Sequence, residues 1–221
     1  MEKTRTRQFA ALSTVALSAF AFAFVPAQAA NESRVLDFDT HAAFFSSETG
    51  QKAPLDPQVF VAAPSAVAAT GPQGIKHVAG VRNALVSDSP DLLVLTAAGK
   101  PLNMSLGAWL AAKGEVIFRP LPGGREKVSI VLSGLKPHGR YSLFENHFDQ
   151  KPIGFTPLDG TGADNSFVAD ANGNAVVTTI SPGAVTHDNA VLVVYHSDGK
   201  AHGQSRGEIG VDAHHQLIAR P

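Results

Sequence analysis

The sequence predicts an all-β fold, an antiparallel β-sandwich with one short helix, and three observations predict it. Val128, Ile130 and Leu132 fall on one side of a period-two run, which Gly134 and Pro137 stop before Tyr141 opens another. Other short apolar runs recur at short spacing, separated by turn sequences such as Pro122-Gly123-Gly124, Asp170-Ala171-Asn172-Gly173 and Asp198-Gly199-Lys200. Only Met104–Lys113 has good helical spacing, so strands do not alternate with helices as a parallel α/β sheet requires.

The stretch from Leu132 to Leu143 organises the chain. Proline fixes its own φ and lacks a backbone donor, so no central strand runs through Pro137. Leu132, Leu135, Pro137 and Tyr141 form a pattern that resembles the tyrosine corner of fibronectin type III and immunoglobulin-like sandwiches. The resemblance implies an immunoglobulin-like or related topology. It also implies a Tyr141 ring packed beneath the corner, with its hydroxyl bonded to a backbone group a few residues upstream. It covers about a dozen residues and speaks of fold alone. The single tryptophan, Trp109, lies outside the core strand where that family carries one, which leaves the exact topology open.

From the beginning of the chain, Lys3, Arg5 and Arg7 precede an uncharged apolar run from Phe9 to Val25. Pro26 and Ala27-Gln28-Ala29 follow, the pattern of a secretory signal peptide over residues 1–29. A retained anchor is the other reading of that run, but the proline and the Ala-x-Ala favour cleavage. The expected destination is the periplasm or the exterior, with no membrane span after cleavage. With 18 basic and 19 acidic residues there is no basic stripe for nucleic acid. Cysteine is absent, so the fold holds without disulfides and offers no thiolate to a metal or a substrate.

Residues 31–50, with Val35, Leu36, Phe38, Phe44 and Phe45, suit a short helix or an edge strand equally. Residues 53–72 are rich in alanine and proline and read as an extended connector, although Val59-Phe60-Val61 could add one strand. Residues 30–73 are therefore expected as an extension, wrapped on the domain or loosely attached, and 74–221 as the sandwich. Asp91–Thr96 reads as a strand. Met104–Lys113 reads as a helix capped by Asn103 or Ser105 and ended by Gly114, with Trp109 as a core residue.

Glu115–Arg119 and Lys127–Leu132 form an expected hairpin, and Arg140–Phe148 follows the corner. Residues 149–164 read as a loop. Asn165–Ala169 and Asn174–Ile180 form a second expected hairpin about Asn172-Gly173, a pair suited to positive φ. Ala190–His196 and His214–Ala219 complete the strands.

Leu106-Gly107-x-Trp109-Leu110-Ala111-Ala112-x-Gly114, Ser133-Gly134-Leu135-x-Pro137 and Tyr195-His196-Ser197-Asp198-Gly199-x-x-His202-Gly203 together are similar to a set of exported bacterial proteins of unassigned function. That resemblance covers about half the chain and implies no activity.

Of nine histidines, most fall late: His138, His147, His187, His196, His202, His214 and His215. Neutral imidazole is the commonest metal ligand. The sharpest candidate site joins His147, His196 and His202 with Glu145 or Asp198, or Asp149, as carboxylate; without cysteine it suits zinc or copper(II). The alternative is that these are strand-end and loop histidines bonded to backbone or solvent. His214 and His215 would face opposite ways in a strand, so at most one joins any given site.

Gly134-Leu135-x-Pro137 before Glu145-Asn146-His147 is similar to the turn and following strand of copper-zinc superoxide dismutases. The His-x-His and the disulfide of that family are missing, so the likeness is assigned to shared turn chemistry. Gly203-Gln204-Ser205-Arg206-Gly207 matches the Gly-x-Ser-x-Gly nucleophile elbow, but no helix is expected after it. Asp159–Asn165 has oxygen ligands for calcium without EF-hand spacing, and reads first as a turn.

The expectation is thus an exported, non-catalytic binding or interaction domain that takes copper or zinc through histidine, with a protein or cell-envelope ligand as partner. The alternatives are a metal-dependent enzyme using the same residues, and a structural envelope protein with no site.

Overall fold

The period-two run ending at Leu132 becomes a middle strand of a four-stranded sheet. The computed structural model describes residues 32–221, and the expected signal peptide lies outside them. In chain order the first elements are β1 (Arg34–Asp37), β2 (Asp39–Thr40), α1 (His41–Glu48), β3 (Leu55–Ala62), β4 (Ala69–Thr70), β5 (Lys76–His77), β6 (Val81–Leu85), β7 (Leu93–Leu95), β8 (Pro101–Ser105) and α2 (Leu106–Leu110). Then come β9 (Lys113–Pro120), β10 (Glu126–Ser133), β11 (Arg140–His147), β12 (Gly154–Pro157), β13 (Ser166–Val168), β14 (Ala175–Ser181), β15 (Asn189–His196) and β16 (Ala213–Ala219).

The strands form antiparallel sheets. One has the order β1-β9-β10-β14, and a second β12-β11-β15-β16-β2 with β13 also paired to β11. A third has the order β6-β3-β7-β8, and β4 pairs with β5. The first two sheets face each other. Val116, Phe118, Val128, Ile130 and Leu132 from one share a core with Leu143, Val191, Val193 and Leu217 from the other, and Val59, Val94 and Leu102 of the third sheet join it. The second sheet is buried on both faces. Phe144, Leu192, Val194 and Ile218 point away from the main core and are covered by Phe44, Phe148 and Phe155. Burial of this apolar surface is the main term holding a cysteine-free chain together. Among the described residues no helix is long and apolar enough to cross a membrane.

The corner has the expected bond. The Lys136 N–H donates to the Tyr141 hydroxyl across 2.9 Å, and the fully buried ring stacks on Phe167. The Asn172-Gly173 turn docks against it, with the Leu135 N–H donating to the Gly173 carbonyl. A Cβ on Gly173 would collide with the Leu135 carbonyl, and φ there is 75°, so glycine is required twice over.

Several elements differ from expectation. The turn at 170–173 is present, but its flanking strands are not a hairpin: β13 pairs with β11 and β14 with β10, so the turn carries the chain from one sheet to the other. The helix is shorter than expected, running from the Ser105 cap only to Leu110. Gly114 does not end it but lies inside β9, where any Cβ would strike the Val131 carbonyl. The segment 149–164 contains a strand, β12, and both a helix and strands form in 31–50.

Of the two readings of 53–72, the strand is realised, longer than Val59–Val61 and buried from Asp56 to Val61. The described residues, 32–221, lie within one compact unit.

Candidate metal site

His196 is the last residue of β15, in register with Arg140 of β11 and Ala213 of β16. A tight turn follows. The Gly199 N–H donates to the His196 carbonyl, Gly199 takes a φ of 71°, and the Asp198 carboxylate accepts from the Lys200 N–H. The chain doubles back and lays the His202 ring on that of His196, with centroids 4.7 Å apart and planes 23° from parallel. His202 Nε2 lies 3.3 Å from the Asp198 carboxylate. One ligand atom from each of His196, Asp198 and His202 lies within 4.8 Å of the others. A strand end and one turn thus gather three donors from seven residues of chain.

The electrostatics suit a cation. His196 is 1% exposed. Burial, helped by the neighbouring His202, lowers its imidazole to about 4 against the opposing carboxylates of Asp198 and Asp212. The ring is therefore neutral at pH 7 and keeps a lone pair. Nε2 is engaged with the Ser142 hydroxyl at 2.9 Å, and Nδ1 is buried with no hydrogen-bond partner. Partial burial of Asp198 opposes its ionisation, but the Lys200 N–H and His202 outweigh it and hold the carboxyl below its usual range. Two imidazoles and a carboxylate are a donor set for zinc or copper(II), and three protein ligands leave a coordination position open.

The other two expected ligands stand elsewhere. Antiparallel register pairs Arg140 with His196 and His147 with Asn189, so His147 sits at the opposite end of the β11–β15 ladder. Both of its ring nitrogens are occupied, Nδ1 accepting from the Asn189 amide and Nε2 meeting the Thr156 hydroxyl. Glu145 does share a strand with His147, but it pairs with Val191 and Thr156, away from the cluster. Burial raises its carboxyl.

His214 and His215 do face opposite ways. His214 packs against Trp109 and Tyr195, and His215 against His41 and Phe155. His187 bonds the Pro221 carbonyl, and His138 occupies the corner with a φ of 57°. Ser205 stands in an irregular loop and accepts from the Gly207 N–H, so no strand-to-helix elbow presents it. The Asp159 carboxylate takes the N–H groups of Thr161, Gly162, Ala163 and Asp164 and the Thr161 hydroxyl. Those donors outweigh partial burial and hold it at about 2, and a carboxylate so occupied makes a turn rather than a calcium site.

Sequence reading missed a buried polar seam between β3 and β16. The Gln58 side chain accepts from the His215 N–H through Oε1, and Nε2 reaches His215 Nδ1 and Gln73. The Gln58 carbonyl meets His214 Nδ1. The histidine pair in β16 was the available signal. Its partners in an apparent connector were not.

No protein-family model matches the chain, and no curated protein matches it.

Proposed function

We propose that this is an exported β-sandwich binding protein whose His196–Asp198–His202 group takes one divalent transition metal, zinc or copper(II). The observation that carries the reading is the convergence of the three donors around a neutral, buried His196 whose Nδ1 has no partner. Export rests on the basic, apolar and Ala-x-Ala segments of residues 1–29.

The test is elemental analysis of the untagged purified protein, followed by melting curves with added zinc or copper. About one metal per chain and a rise in melting temperature, both lost in His196→Ala, support the reading. Absence of metal, with no shift on adding either ion, overturns it. Export is checked separately by the N-terminal residue of the mature protein, expected near residue 30.

The open coordination position supports a second reading, in which the same three residues hold a catalytic metal. A metal-bound water displaced by a substrate would favour it.

A further inference from the structure

The outer face of the second sheet carries a cavity of about 450 Å³ unrelated to the metal ligands. Its walls come from α1, from β11 and β12, and from the loop after His202, and His215 of β16 lines it too. The wall aromatics include Phe44, Phe148 and Phe155. Arg206 enters from the loop. Its guanidinium lies 3.5 Å from the centroid of the Phe155 ring and 3.0 Å from His215 Nε2. Among the described residues no carboxylate makes an ion pair with it, and Glu48, the acidic group lining the cavity, pairs instead with Arg220.

Two further polar residues, Asn146 and His41, line the space. Asn146 is 7% exposed and its Oδ1 has no partner; His41 is 5% exposed and its Nδ1 has none. Both of these atoms are sealed from solvent, so they do not face the open space.

We propose that this cavity binds a small organic carboxylate with a flat apolar body. The guanidinium presents a planar fork to a carboxylate. The aromatic walls take the flat body. The single unpaired cation matches a monoanion, because a dianion in this apolar setting would keep an uncompensated charge. The volume suits a one-ring acid, within the usual size range of ligand pockets.

The probes are 4-hydroxybenzoate, benzamide and inorganic phosphate, titrated calorimetrically into the purified protein. EDTA is present throughout, so that a carboxylate captured by metal at His196 does not register. The expected result is saturable binding of 4-hydroxybenzoate, with benzamide and phosphate each weaker by about tenfold or more. Arg206→Gln should lose a similar factor. Comparable binding of benzamide, comparable binding of phosphate, or no binding of 4-hydroxybenzoate overturns the proposal. These comparisons use the unaltered protein, so they decide the matter even if the variant fails to fold.

Discussion

The indole Nε1 of Trp109 donates to Oδ2 of Asp56 across 2.8 Å, tying α2 to β3 through the interior. The other carboxylate oxygen accepts from the Gln58 and Val59 N–H groups. Burial pushes the Asp56 carboxyl up to about 6, against the pull of these donors. Asp56→Ala is expected to strand three buried donors and to cost about 3 kcal/mol or more. Asp56→Asn should cost less, because its amide oxygen still serves the backbone donors while its N–H₂ faces the indole. Urea denaturation measures both, and an alanine variant as stable as the parent would remove the structural role given to this pair.

Tyr141→Phe deletes a hydroxyl that accepts the Lys136 N–H in the interior of the corner. Ring burial against Phe167 and Tyr195 is unchanged, so the loss is that of the one bond, about 1–2 kcal/mol. Equilibrium unfolding should show a lower midpoint with the same denaturant slope. An unaltered midpoint would mean that the bond contributes nothing net.

What could be read before the structure was local, and what could not was pairing. Val128, Ile130 and Leu132 announced a core face because the pleat has period two, and all three are buried. Pro137 and Tyr141 announced the corner. The 170–173 turn was readable from Asn172-Gly173, but not that its strands part to different sheets. The same gap misplaced His147. Its strand was read well enough, but the antiparallel register with β15, which sends it to the far end from His196, depends on residues 42 or more positions away. Asp56 and Gln58 hid in an apparent connector because Pro57 and two polar side chains interrupt the apolar pattern. Their burial is made tolerable by Trp109 and His215, distant partners that no local rule supplies.

Acid should destabilise the protein well above the pH at which its exposed carboxylates titrate. Burial lowers His41 to about 3, His196 and His214 to about 4, and His215 well below its ordinary value. Each binds its proton more weakly folded than unfolded. Between the unfolded value near 6.5 and the folded values, the unfolded chain holds more protons, so falling pH favours unfolding. The stability of the neutral rings is present above about pH 6.5 and is lost as pH falls through about 4. His214 alone is worth about 3 kcal/mol across that window. Asp56 runs the other way, its contribution present below about pH 4 and lost as pH rises through about 6, and the raised Glu145 carboxyl acts in the same sense, but two carboxyls oppose four imidazoles. Urea midpoints measured from neutral pH to about pH 5 should fall steadily. A flat or rising series would show that these rings are not held neutral.

Ser142 should govern metal affinity without touching the metal. Its hydroxyl meets His196 Nε2 at 2.9 Å, and both residues are buried. If the imidazole carries its proton on Nε2 and donates it to that hydroxyl, Nδ1 is left with the free lone pair a cation needs. Such a partner fixes the tautomer and the ring orientation of a ligating histidine, and its removal weakens metal binding by about 10–100-fold. Ser142→Ala is therefore expected to lower zinc affinity by that factor in a competition titration against a chelator. His196→Ala should abolish binding, and Asp198→Asn should weaken it by removing the ligand charge. A Ser142→Ala protein that folds and binds zinc as tightly as the parent would show that the Nε2 contact does not set the tautomer.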